Sequence, residues 1–131
     1  MKGLFAKIAA GEIPSYKIAE DEEFFAFLDI NPLVKGHVLV IPKKEIDYIF
    51  DLDDSTIAGL MVFAKKVALA IDKYTDKKKV GIAVIGLEVP HAHIHLVPID
   101  GVGDINFSNP KLKLPQEDMF FIAEAIRANM K

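Results

Sequence analysis

Residues 89 to 98 read VPHAHIHLVP, with His91, His93 and His95 alternating with Ala92, Ile94 and Leu96. A period of two is the period of an extended strand, whose successive side chains point to opposite faces. A helix would scatter the same histidines around its circumference. The run therefore predicts a strand with one imidazole face and one apolar face, and the apolar face requires a covering layer. Neighbouring histidines on such a strand lie about 6–7 Å apart at their Cα atoms, given a rise of about 3.3 Å per residue. Their rings can then converge on one small ligand.

The rest of the chain supplies the layers. KVGIAVIG, just upstream, reads as a companion strand, divided from the histidines by a turn around Glu88 to Pro90. SYKIAEDEEFFAFLDINP reads as two short strands around an acidic turn, Asp21 to Glu23, closed by Asn31-Pro32. GHVLVIPKK is a β-branched apolar run between Gly36 and Pro42, which predicts a buried strand. From Asp53 to Tyr74 the pattern changes: Ile57, Leu60, Met61, Ala64, Ala68 and Ile71 fall on one face of a long helix. Asp53, Asp54 and Ser55 offer capping oxygens at its start, while Lys73 and Lys77 to Lys79 suit its carboxyl end. Pro115, followed by Gln116, Glu117 and Asp118, opens a second helix with Met119, Ile122, Ala123, Ile126 and Met130 on one face. This order predicts an α+β fold, an antiparallel sheet covered on one side by one long and one carboxyl-terminal helix. With no repeat or long linker, residues 1–131 are expected to form a single domain.

Charge and composition narrow the function. There are 16 basic and 19 acidic residues, a formal charge of −3, which argues against a general nucleic-acid binder. A locally positive site for one phosphorylated ligand stays open. The chain has no cysteine, so neither a disulfide framework nor a thiolate metal site is available. MKGLFAKIAAGEIP holds too short an apolar run for a signal peptide. No stretch approaches the roughly 20 apolar residues that span a bilayer. A cytoplasmic protein that binds no membrane is the expectation.

Three readings of the histidine run compete. The histidines can simply be solvated or satisfy local hydrogen bonds. They can chelate a metal, since imidazole ligates zinc readily, although Glu88 and Asp100 are the only nearby acids to orient them. Or one imidazole can act as a nucleophile on phosphorus, needing no strong base because its ordinary pKa is about 6.5. Flanking rings would then donate hydrogen bonds to phosphate oxygens as charge shifts in the transition state.

HAHIHLVP resembles the His-x-His-x-His-x-x signature of the histidine-triad, or HIT, nucleotide hydrolases and transferases. FAKIAAGEIPSYKIAEDEEFFAFLDINPLVKGHVLVIPKK is similar to that family's amino-terminal half, FLDINP and GHVLVIPKK most specifically. The resemblance covers residue 3 to about residue 99. It implies a HIT-like fold with a five-stranded antiparallel sheet in each subunit of a homodimer, and a purine nucleotide as substrate. By position, His93 would be the nucleophile on the α-phosphate. His91 and His95 would contact the phosphate or orient its neighbours, joined by His37. Asp29 would hold the ribose hydroxyls, with Ile30 beside it, and Leu4, Phe5, Ile8, Phe27 and Leu28 would form an apolar slot for the base. From the residues alone, Asp29 reads equally as an Asx-turn partner before Asn31-Pro32, and the apolar five as ordinary core.

Three departures accompany the resemblance. Many bacterial relatives begin with a Cys-x-x-Cys-type pair that binds structural zinc; Gly3 and Ala6 stand in those places, so no such zinc and no other cofactor is expected. In GLEVPH, Leu87 occupies the position of the family's glutamine. The loop before the triad is also shorter, without the family's upstream asparagine or glutamine. Glu88 would lie on the leaving-group side, where it can accept from an ammonium. The expected activity is hydrolysis at the α-phosphate of a purine nucleoside monophosphate conjugate, a phosphoramidate or a dinucleoside polyphosphate, through a nucleotidyl-His93 intermediate. The alternatives are a non-catalytic nucleotide-binding dimer and a zinc hydrolase using all three histidines.

Overall fold

The computed structural model describes residues 2–130. Five strands form one antiparallel sheet: β1 (Lys17–Glu20), β2 (Phe24–Leu28), β3 (Val38–Pro42), β4 (Lys79–Ala83) and β5 (Ile94–Ile99), in the spatial order β1-β2-β3-β5-β4. The helices are α1 (Leu4–Ala9), α2 (Asp54–Tyr74) and α3 (Gln116–Arg127), with short 3₁₀ turns at Ile49–Asp51 and Val102–Ile105. The α+β sheet architecture expected from the sequence is the one observed. Among the described residues no helix is long and apolar enough to cross a membrane.

The acidic turn joins β1 to β2 through Asp21, whose Oδ1 accepts from the N–H groups of Glu23 and Phe24, both at 2.8 Å. Asp53 caps α2 by accepting from Thr56 N–H at 2.7 Å. Lys77 to Lys79 do not cap the other end of that helix. α2 stops at Tyr74, Lys77 pairs with Asp100 at 3.5 Å, and Lys79 opens β4. Gly36 has φ +93°, and a Cβ there would meet the Tyr74 ring at 3.1 Å and Pro98 at 3.3 Å, so the turn into β3 requires glycine.

Most of the core lies between the sheet and the pair α2 and α3. α2 buries Leu60, Phe63, Ala64, Val67, Ala70 and Ile71. Met61, expected on that face, is half exposed, and Phe63 and Val67 take the space instead. α3 buries Met119, Ile122, Ala123 and Ile126, with Met130 packed at the rim. Burying each large aliphatic side chain contributes about 1.5–3 kcal/mol, which fixes both helices on this face.

The opposite face is not bare, as one-sided coverage had implied. FFAFL and VLVIP are buried at every position, without alternation. Phe24, Ala26 and Leu28 face α2 and α3; Phe25 and Phe27 face the other way, joining Phe5, Ile8, Leu39 and Ile41 in a second apolar cluster under α1. Six residues are too few to show a helical period, which is why α1 escapes a reading of the sequence.

Candidate active site

The histidines lie at this second cluster, although the strand that carries them is shorter than the alternation implies. β5 begins at Ile94, so only His95 belongs to it, while His91 and His93 precede it. The β3–β5 register pairs Leu39 with His95 and Val40 with Ile94, which would set Ala92 opposite Pro42. Proline has no N–H to offer a ladder. The N–H of Ala92 turns instead to the carbonyl of Ile46 at 2.7 Å. The rings converge nonetheless: His93 and His95 are 4.9 Å apart at their centroids, and Phe5 lies 5.9 Å from His91 and 5.2 Å from His93.

None of the four histidines is solvated. His37 is 1% exposed, His91 2%, His93 6% and His95 8%. Each hydrogen bond then fixes where a neutral ring carries its proton, because a carbonyl can only accept and a backbone N–H can only donate. Leu33 N–H donates to His37 Nδ1 at 3.1 Å, so the His37 proton is on Nε2. That Nε2–H donates to His95 Nδ1 at 3.0 Å, which leaves the His95 proton on Nε2. His91 Nε2 donates to the carbonyl of Pro42 at 2.7 Å, and His93 Nδ1 to the carbonyl of His91 at 2.7 Å. Of the four rings, only His93 keeps an Nε2 lone pair. His91 Nδ1 is a buried acceptor with no partner.

Burial favours the neutral form of three of these rings, His37, His91 and His95. Desolvation lowers His37 to about 3, helped by His95, Lys111 and His93. It lowers His95 to about 4, with His93 adding to it. His91 is lowered as well, chiefly by burial.

Asp29 follows β2 and does two things. Its Oδ1 accepts from Asn31 N–H at 2.8 Å, the Asx turn the sequence suggests, while Oδ2 lies 3.6 Å from His37 Nε2. With His37 neutral, that contact is not an ion pair. Burial raises the Asp29 carboxyl; the bond from Asn31 and the charge of Lys111 oppose it, and the carboxylate of Glu88 adds to the rise. Glu88 is exposed on its loop. Phe5, Ile8 and Phe27 pack together, with Phe5 and Phe27 5.4 Å apart edge to face. Leu4 and Ile30 are exposed, at 50% and 68%. Leu28 does not join this group: its side chain lies in the main core beneath α2 and α3.

Donor atoms of Asp29, His37 and His95 all lie within 4.8 Å of one another, a spacing a metal ion could use. Two of them, His37 Nε2 and His95 Nδ1, already share a proton.

Phe107 was not singled out by sequence. It lies 4.6 Å from His95 and 6.0 Å from His37, and Lys111 acts on both His37 and Asp29. Both come from the irregular segment before α3, where no periodicity points inward.

Comparison with known proteins bears on the family and the fold. The chain is 39% identical over 108 residues to a HIT-like protein of Methanocaldococcus jannaschii, covering 78% of this chain and 83% of that one. It is 39% identical over 100 residues to a Schizosaccharomyces pombe protein named adenosine 5'-monophosphoramidase, covering 75% and 74%. The crystal structure of a Hit-like protein from Bartonella henselae superposes with a TM-score of 0.84 at 30% identity, over 98% of this chain and 96% of that one. The HIT domain profile matches residues 10–102, and the chain belongs to the HIT domain family.

Proposed function

We propose that the protein is a cytoplasmic hydrolase of purine nucleoside monophosphate conjugates, with phosphoramidates its first substrates and dinucleoside polyphosphates next. The observation that carries this reading is the 2.7 Å bond from His93 Nδ1 to the His91 carbonyl, which leaves His93 Nε2 as a free lone pair. That nitrogen attacks the α-phosphorus. The P–N bond breaks, and the amine departs with the bonding pair and takes up a proton. Water then adds to phosphorus, losing a proton, and the P–Nε2 bond breaks to restore the imidazole and release the nucleoside monophosphate. His95 Nε2–H is the donor left for a phosphate oxygen, a contact of the kind whose loss costs about 10²–10³ in rate. Asp29 takes the ribose hydroxyls, and the base lies against Phe5, Ile8 and Phe27 beside exposed Leu4 and Ile30. The phosphoramidase name of the fission-yeast relative supports the choice of leaving group.

Incubation with adenosine phosphoramidate tests this. The wild type should release AMP and form a mass-spectrometric adduct on His93, and His93→Asn should lose about 10³-fold or more in rate. Normal turnover by His93→Asn would overturn it.

One observation favours a second reading, a nucleotide-binding protein without efficient chemistry. Leu87 is 87% exposed and offers no hydrogen bond where the family's glutamine belongs. Calorimetric binding of AMP without hydrolysis by the wild type would select that reading. We also propose a homodimer. β4 is the outer strand beside β5, and Ile82, Val84 and Ile85 at and beyond it are 48%, 42% and 48% exposed, an apolar edge suited to pairing with a second copy.

A further inference from the structure

The connection from Asp100 to Leu114 extends past the matched HIT region and contains no strand. It is tied down by its own side chains. Asp104 Oδ2 accepts from the N–H groups of Asp100 at 2.8 Å and Gly101 at 3.1 Å. Asn106 Oδ1 accepts from Ser108 N–H at 2.9 Å, and Asn109 Nδ2 donates to the Gly103 carbonyl at 2.7 Å. Lys111 Nζ donates to the carbonyls of Phe107 and Asn109, and Leu112 N–H to the carbonyl of Pro32 at 2.8 Å. Long irregular connections are ordinarily disordered or functional. This one is ordered, and the ring it brings to the histidines is Phe107.

His95 is enclosed by three rings: His93 at 4.9 Å, His37 at 5.2 Å and Phe107 at 4.6 Å. Two of them are polar. Only Phe107 has no atom that can hold a water. We propose that Phe107 is a positioning residue, whose ring covers the His37–His95 hydrogen bond and keeps water from it, so that His95 holds its proton on Nε2, where substrate needs a donor. This rests on the reading of His95 as phosphate donor given above.

The physical reason lies in what protonation would do. A second proton on His95 would sit on Nδ1 and face the Nε2–H of His37 across 3.0 Å. Two donors at that distance repel unless water enters between them or a ring turns. A dry cover forbids the first route and hinders the second. Burial is accordingly the largest cause of the low pKa of both rings. The other titratable or charged groups around the pair are His93, Asp29 and Lys111, with Glu88 acting on Asp29.

Imidazole nitrogen NMR on the ¹⁵N-labelled full chain tests the proposal without any turnover. In the wild type, the His37 Nε2 proton should give a slowly exchanging resonance, and His95 should stay neutral down to about pH 4. In Phe107→Ala the His95 midpoint should rise by about one unit or more toward the ordinary 6.5, and Phe107→Leu, which keeps an apolar cover, should restore it. A His95 midpoint unchanged in Phe107→Ala would overturn the proposal. So would rapid solvent exchange of the His37 proton in the wild type, a measurement that stands even if the alanine variant fails to fold. The proposed hydrolysis fails separately: NMR behaviour as expected with no AMP release would remove the activity and leave the role of Phe107 in place.

Discussion

Acidification should destabilise this protein well before its carboxylates protonate. Burial holds His37 at about 3 and His95 at about 4 in the native state, whereas both titrate near 6.5 once unfolded. Where the folded pKa is depressed, the unfolded chain binds more protons. The stability is then present in full above about pH 6.5 and falls progressively below it, until the pH has dropped through the folded values. At pH 5 each unfolded ring has gained its proton and each native ring has not, which costs the native state about 2 kcal/mol per ring. The two rings share one hydrogen bond, so protonating one breaks it and they respond as a pair, with a combined loss of about 4 kcal/mol. His91, also depressed, acts in the same direction. Asp29 opposes them weakly, because its raised carboxyl makes the native state the better proton acceptor. Glu12, Glu20, Asp53 and Asp104 are held below their ordinary values and lose their contribution only at more acidic pH, which leaves the window from 6.5 to 5 to the histidines. Urea unfolding followed by circular dichroism across that window measures the loss. His37→Gln keeps an acceptor and a donor without titrating, and should flatten the dependence by about half. A change below about 1 kcal/mol between pH 7 and pH 5 would refute the assignment of neutral, buried imidazoles.

Further outcomes follow from other residues. Asp29→Asn retains an Oδ1 for Asn31 N–H but weakens the proposed ribose contact, so KM for adenosine phosphoramidate should rise about 10-fold with kcat little changed, one hydrogen bond to a charged group being worth about 1.5–3 kcal/mol. A fall in kcat alone would place Asp29 elsewhere in the chemistry. Ile71 is fully buried in the main core. Ile71→Ala should lower stability by about 2–5 kcal/mol with an unchanged denaturant slope, and a loss under 1 kcal/mol would contradict the packing described.

What the sequence disclosed was whatever it encodes as a period. The faces of α2 and α3, the capping Asp53 and the turn at Asp21 were all legible, as was the gathering of His91, His93 and His95. Departures arose where one contact outweighed a pattern. Alternation carried the strand back to His91, but the missing N–H of Pro42 let it begin only at Ile94. Helical spacing chose Met61, and the larger Phe63 filled the space instead. α1 was too short to register, and with it went the cover on the second face of the sheet. Phe107 was invisible for a different reason: its place depends on Asp104, Asn106, Asn109 and Lys111 folding one irregular segment, and none of those bonds has a sequence period. Nor does spacing assign protons, since His37, His91 and His93 are each oriented by a backbone group and His95 by His37.

The departure at Leu87 gains a narrower meaning from this arrangement. Leu87 is almost fully exposed, so its side chain supports neither the core nor any of the four rings. The bonds that fix the rings run from Leu33 to His37, His37 to His95, His91 to Pro42 and His93 to His91. None passes through the loop of residues 84 to 90. A polar group missing from that loop therefore cannot alter which nitrogen of His93 is free. It can alter only what a bound phosphate or leaving group touches. Loss of a transition-state donor lowers kcat without changing the nucleophile. If the proposed mechanism holds, the expected outcome is slow turnover with the adduct still formed on His93, and an adduct on any other residue would refute this reasoning.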